Sequence, residues 1–238
     1  MDKQVKSFDY TLNLIKLNDS DFTEDFVAIS SEIDKNSMCK HSGLIICYQE
    51  EIYYFHYTGQ SVELTTITDF VGNIDSIFIK KLNIIAEDDV VSFLGHCQKL
   101  KKKGINPLYG FIFNNSYYDS ENKQSFLINA QHDITTCVGF CIKVIRGFLF
   151  NNDEYIRLND WNINSLVDVE QWLFDYINRY LSIYAVTNNL TVSELYSQNE
   201  LKRIMPSELL CSAFFEELPI AKLSIDSIRI DLENYIQN

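Results

Sequence analysis

Glycine and proline are scarce in this chain, 8 and 3 among 238 residues, and no Gly/Ser-rich or Pro-rich stretch divides it. A flexible linker between two halves is therefore not expected, and one domain, elaborated at its C-terminal end, is the simplest count. Cysteine is sparse as well. The six residues at 39, 47, 97, 137, 141 and 211 are too few for a disulfide scaffold and lie largely in apolar segments, so reduced thiols are expected. No apolar run approaches the roughly 20 residues that span a bilayer, and the opening MDKQVKSFDY lacks the apolar stretch of a secretory signal. A cytoplasmic protein follows as the expectation, with export by a dedicated machine left open. Positive charge is also short: 20 Lys and Arg against 33 Asp and Glu give a net charge of -13. Such a chain repels a phosphate backbone, so nucleic acid is excluded as a partner and cationic partners fit better. The one basic run, Lys99 with Lys101, Lys102 and Lys103, precedes Gly104 and reads as a helix C-terminus.

What is present is apolar: 46% hydrophobic residues, with 14 Tyr and 16 Phe, enough for one sizeable core. Residues 8 to 17 alternate as a strand does. In DSDFTEDFVAISSEI, Phe22, Phe26, Ile29 and Ile33 recur at helical spacing behind an acidic start, which predicts a helix. SGLIICY and EIYYFHYTG flank the polar pair Gln49 and Glu50 and predict a hairpin. SIFIKKLNII reads as a further strand, 88–103 as an amphipathic helix, and GFIFNN and SFLINA as short strands. From Thr136 or Cys137 a helix apolar on nearly every face is expected at the centre of the fold. Beyond Asn151 the pattern turns mostly helical: Val169, Trp172, Leu173, Tyr176, Ile177, Tyr180 and Leu181 repeat at three and four. Thr191 with Glu194 reads as a capping box and Pro206 as a first helical turn.

Two residues stand out chemically. His41 opens an apolar strand and Cys137 opens an apolar helix. A thiol is a poor nucleophile at neutral pH until an imidazole and a helix N-terminus lower its pKa, so the two together read as a thiolate and imidazole pair. A hairpin turning at Gln49 and Glu50 pairs Tyr48 with Glu51 and places His56 opposite Gly43. His41 and His56 then become diagonal neighbours on one face, with His56 able to orient the His41 imidazole. His132, close before the cysteine, is an alternative third member. His96 reads as a packed structural histidine. Cys39, His41, Cys137 and Cys141 are a conceivable zinc set, but their spacing is no zinc signature, and neither metal nor cofactor is expected.

HSG at a strand start, a second strand bearing a polar residue and a later cysteine heading a buried helix resemble the circularly permuted papain-like cysteine hydrolases. These are NlpC-type proteins whose permuted branch includes lecithin retinol acyltransferase. The resemblance covers roughly residues 8 to 150, and Thr136 stands where the acyltransferase type has asparagine. It implies an α+β fold with an antiparallel sheet packed on a central cysteine-bearing helix. Residues 1 to 150 would form that core, and 151 to 238 a mainly helical extension packed on it. It further implies Cys137 as nucleophile, His41 as base and acid, His56 as orienting residue, and the Cys137 backbone N–H as an oxyanion donor. The expected activity is hydrolysis of an amide bond in a peptide or other amide-containing substrate, without cofactor. Thioester hydrolysis or acyl transfer suits the same triad. A second class of function is a non-catalytic binding or inhibitory protein that presents an acidic, tyrosine-rich surface.

Overall fold

Within SGLIICYQEEIYYFHY the apolar and aromatic residues alternate around one tight turn, and in the computed structural model, which describes residues 9–19, 22–163 and 168–238, they form the central hairpin. A short helix α1 (Tyr10–Asn13) leads into strand β1 (Ile15–Lys16). Strands β2 (Phe26–Ile33), β3 (Cys39–Tyr48), β4 (Glu51–Tyr57) and β5 (Val62–Thr66) follow as an antiparallel meander. β6 (Ile77–Lys81) crosses back to the far side of β2, giving the order β1-β6-β2-β3-β4-β5. The β3–β4 register is the one the turn dictates, with Tyr48 opposite Glu51 and Gly43 opposite His56. Gln49 and Glu50 take positive φ values of 52° and 64°, as a two-residue hairpin turn requires.

Two expectations near the N-terminus are corrected. Of the stretch expected as a helix over 19–33, residues 26–33 form strand β2 and residues 22–25 lead into it without regular structure, residues 20 and 21 lying outside the described residues. Every side chain from Phe26 to Ser31 is buried, Val27 and Ile29 on one face of the sheet, Phe26 and Ala28 on the other. A strand covered on both faces has no period-2 polarity, so its spacing imitates a helix. The strand expected over 8–17 is instead α1 followed by the two residues of β1, which pair with β6; residue 8 lies outside the described residues.

Helix α2 (Val90–Lys103) buries Val90, Phe93, Leu94, Cys97 and Leu100 along one stripe. It stops at Gly104, whose φ of 72° is the left-handed cap a side chain would resist, with the lysines of its last turn against the negative end of its dipole. The next segment holds short pairs: β7 (Leu108–Tyr109), β8 (Tyr117–Tyr118), β9 (Leu127–Ile128) and β10 (Ile134–Thr135), with β10 parallel to β7 and β8 antiparallel to β9. GFIFNN is not a strand. Its Phe111, Ile112 and Phe113 are buried, and its backbone bonds to the 200–202 segment through a single bridge between Ile112 and Leu201. SFLINA contributes only β9.

Helix α3 (Cys137–Phe148) is buried from Cys137 to Ile145 and packs Phe140 edge-on against Phe55 of β4. Helices α4 (Asp168–Thr187), α5 (Val192–Leu195), α6 (Pro206–Ser212) and α7 (Lys222–Gln237) complete the chain. The Thr191–Glu194 box and Pro206 at a first helical turn occur as the sequence indicates. The fold is mixed α and β, an antiparallel sheet with helices gathered on one face. The large core on that face runs from Leu14 to Ile236 and includes residues of every helix from α2 to α7. The opposite face carries a small cluster of Leu17, Phe26, Ala28, Ile45, Cys47, Tyr54, Ile77 and Ile79, flanked by Ile15, Phe22, Ile52, Ile67 and Phe70. No described helix is long and apolar enough to cross a membrane.

Candidate functional site

Strand alternation decides which side chains can meet. On β3, Leu44 and Ile46 point into the large core and Ile45 and Cys47 into the small one, so Ser42 faces the helices while His41 and Gly43 face away. Gly43 confirms this: a Cβ there would lie 2.3 Å from Tyr54 Cε2 and 2.9 Å from His56 Cβ. Without that glycine the Tyr54 and His56 rings could not lie as they do, stacked with centroids 4.1 Å apart and planes 3° from parallel. Phe70 closes over both edge-on.

Against this platform His41 Nε2 lies 3.0 Å from His56 Nδ1. Glu32, opposite His41 on β2, brings its carboxylate to the same point, and the ligand atoms of Glu32, His41 and His56 lie within 4.8 Å of one another. The Tyr54 hydroxyl donates to Glu32 Oε1 at 3.2 Å, and Lys40 Nζ stands 3.9 Å from Glu32 Oε2. His56 Nε2 is buried without a hydrogen-bond partner, 3.7 Å from the nearer oxygen of Glu63. Burial holds the His56 pKa down at about 3, with the His41 charge adding to it; burial likewise lowers that of His41 against the pull of Glu32.

Cys137 lies on the other side of the sheet. It is the first residue of α3, where the Thr136 hydroxyl accepts the Gly139 N–H at 3.2 Å. The backbone amides of Ser42 and Val138 favour its thiolate, but burial outweighs them and raises the pKa above 9.0. This reverses the lowered pKa expected at a helix N-terminus, because burial penalises the thiolate more than the neighbouring amides favour it. No hydrogen bond joins Cys137 to His41, and the β-sheet lies between sulfur and imidazole. His41 thus meets His56, as the hairpin register implies, while Cys137 makes no hydrogen bond to either ring and shares only the lining of one surface depression with His41. His132 is half-buried and acts electrostatically on Glu194 at the start of α5, away from both histidines. His96 is buried under Phe93 and Phe148, with Nε2 3.2 Å from the Val144 carbonyl, and burial lowers its pKa to about 4. Cys39, His41, Cys137 and Cys141 do not converge; among the described residues the group able to share an ion is Glu32, His41 and His56.

On the helix side, Cys137 reaches a surface depression of about 390 Å³ shared with Lys40, His41, Tyr57, Thr58 and Tyr109. His41 borders it where β3 runs out, beyond the last β3–β4 pair. Gly59, Gln60 and Tyr109 form a common wall with a second groove of about 650 Å³, whose far side is Tyr176, Ile177 and Tyr180 of α4. Beside this groove α4 turns Trp172, Tyr176, Tyr180 and Ile183 to solvent, 66%, 66%, 45% and 58% exposed, while Phe174, Ile177, Leu181 and Ala185 enter the core. Burial raises the Tyr109 pKa to about 12, so its hydroxyl is a neutral hydrogen-bonding group.

The sequence reading missed Glu32 because it lay in an apparent helix. Read as a strand before HSG, FVAISSEI would have placed it beside His41. The α4 aromatics were visible as a periodic stripe, yet apolar residues at 172, 176, 180 and 183 as well as at 174, 177 and 181 are more than one buried face accommodates. No protein-family model, no curated protein and no solved structure matches the chain.

Proposed function

We propose that the chain is a peptide-binding protein whose groove between β7 and α4 takes a cationic, extended segment of a partner. The observation that carries this reading is the row of Trp172, Tyr176, Tyr180 and Ile183 at intervals of four, four and three on α4, exposed beside a groove of about 650 Å³. Large amphipathic rings on a rigid helix bury much area at little entropic cost, which makes Tyr and Trp effective anchors. The lining of the groove is itself uncharged, and the net charge of -13 on the chain around it favours approach of a cationic partner over an anionic one. Titration of short lysine- and arginine-containing peptides, followed by Trp172 fluorescence over the buried Trp161, tests it. Saturable binding that weakens with salt and falls at least about tenfold in Tyr176→Ala and Tyr180→Ala is expected. Binding to glutamate peptides with equal affinity, or indifference to both substitutions, refutes it.

A second reading is favoured by one observation, the thiol of Cys137 at the head of α3 beside the adjoining depression. In that reading the groove feeds a permuted papain-like amide hydrolase with Cys137 as nucleophile. His41 must then leave His56 and reach round the end of β3 to act as base. Alkylation by iodoacetamide separates the two. Modification of Cys137 faster than of the more exposed Cys39 supports the hydrolase, and slower modification refutes it.

A further inference from the structure

We propose that Glu32, His41 and His56 form a zinc(II) site on the face of the sheet opposite the peptide groove. Two imidazole nitrogens and a carboxylate are the donor set of open three-ligand zinc sites, with bonds of about 2.0–2.2 Å that place ligand atoms about 3.3 Å apart. His41 Nε2 and His56 Nδ1 already stand 3.0 Å apart, and a Glu32 oxygen lies within 4.8 Å of both. One of the two nitrogens donates its proton to the other in this contact; a cation bound in its place would take both lone pairs and the carboxylate, the displaced proton moving to the far nitrogen of that ring or to solvent.

The surroundings support the ligands as a metal site's outer contacts do. The Tyr54 hydroxyl holds Glu32 Oε1, and the Tyr54 ring fixes the plane of His56 by stacking on it, an approach that only a glycine at 43 permits. The His56 Nε2 nitrogen, buried and otherwise without a partner, lies 3.7 Å from Glu63, the carboxylate toward which its N–H points once Nδ1 is bound to metal. His56 is 5% exposed, whereas the Glu32 side chain is 18% exposed, so the ion enters from the Glu32 side and keeps a fourth position open to water. Lys40, half exposed, swings away from Glu32 into solvent as the cation arrives. The ligands come from three neighbouring strands, so zinc clamps β2, β3 and β4 together near one end.

The test uses the full chain stripped with chelator and titrated with zinc against a chromophoric competitor. One zinc per chain is expected, with a higher Tm on binding and no response to magnesium. Glu32→Gln, which keeps the Tyr54 hydrogen bond, and the more exposed His41→Ala are each expected to weaken zinc at least about 100-fold while remaining folded by circular dichroism. Cobalt(II) in place of zinc is expected to show d–d bands without a sulfur-to-metal charge-transfer band. Absence of zinc binding, affinity unchanged in folded Glu32→Gln and His41→Ala, or a thiolate band each overturns the proposal. Peptide binding in the groove is read separately, in Glu32→Gln, whose side chain lines neither the groove nor the depression beside it.

Discussion

Acid should destabilise this protein through His96 in particular, and the size of the effect follows from its surroundings. The ring sits on α2 between Phe93 and Phe148, 5% exposed, with Nε2 toward the Val144 carbonyl. Burial lowers its pKa from 6.5 to about 4; the Val144 carbonyl, Asp119 and Glu121 oppose the shift, and Lys99 adds to it. Because the folded pKa lies below the unfolded one, the unfolded chain binds the proton more readily. The contribution is therefore present in full above pH 6.5 and is lost as pH falls from 6.5 through 4. At about 1.36 kcal/mol per pKa unit, the difference between 6.5 and 4 corresponds to about 3 kcal/mol. His96→Gln keeps a donor toward Val144 and removes the titration. Urea unfolding at pH 7 and pH 4 should show the parent losing about 3 kcal/mol more than the variant across that interval. Parallel losses in the two proteins would refute the argument.

Gly43→Ala should lower the urea midpoint by an amount equivalent to about 1–3 kcal/mol, because the new methyl collides with the Tyr54 ring; an unchanged midpoint would mean that the stack yields freely. Lys143→Met should cost about 3–5 kcal/mol, since Lys143 is buried with Asp133 Oδ1 at 3.1 Å and Asp133 is left without its cation. The double variant Lys143→Met with Asp133→Asn should recover part of that loss in the same unfolding assay, and no recovery would rule out the ion pair as its source. Tyr176→Ala should change unfolding stability by no more than about 0.5 kcal/mol, because the side chain is 66% exposed; a larger loss would make it structural rather than an anchor.

The hairpin and its register were legible in the sequence because a two-residue polar turn between alternating runs leaves one way to pair the strands, and the meeting of His41 and His56 followed from it. α2 was legible for the same kind of reason: one apolar stripe, an acidic start, a basic end and a glycine stop. β2 was not, since Phe26 and Ala28 find a second, smaller core on the far face and erase the alternation that marks a strand. The placement of Cys137 was not legible either. Spacing tells that α3 is buried, but which face of the sheet it covers depends on Phe140 meeting Phe55 and Tyr57, residues more than 80 positions away. Glu32 became visible as a neighbour of the histidines only once β2 was known to be a strand.

The two-sided burial of β2 also bears on how the chain avoids aggregating. From Phe26 to Ser31 the strand carries no charge, glycine or proline, the composition of a segment that stacks with copies of itself. Its edges are occupied by β3, its immediate successor, and by β6, which arrives more than 40 residues later. During synthesis β3 can therefore cover one edge almost at once, while the other stays open until β6 is made. Glu32 at the end of this run, with Asp25 just before it, then serves as a gatekeeper: like charges stacked in register repel, and they do so during the interval when β2 has only one neighbour.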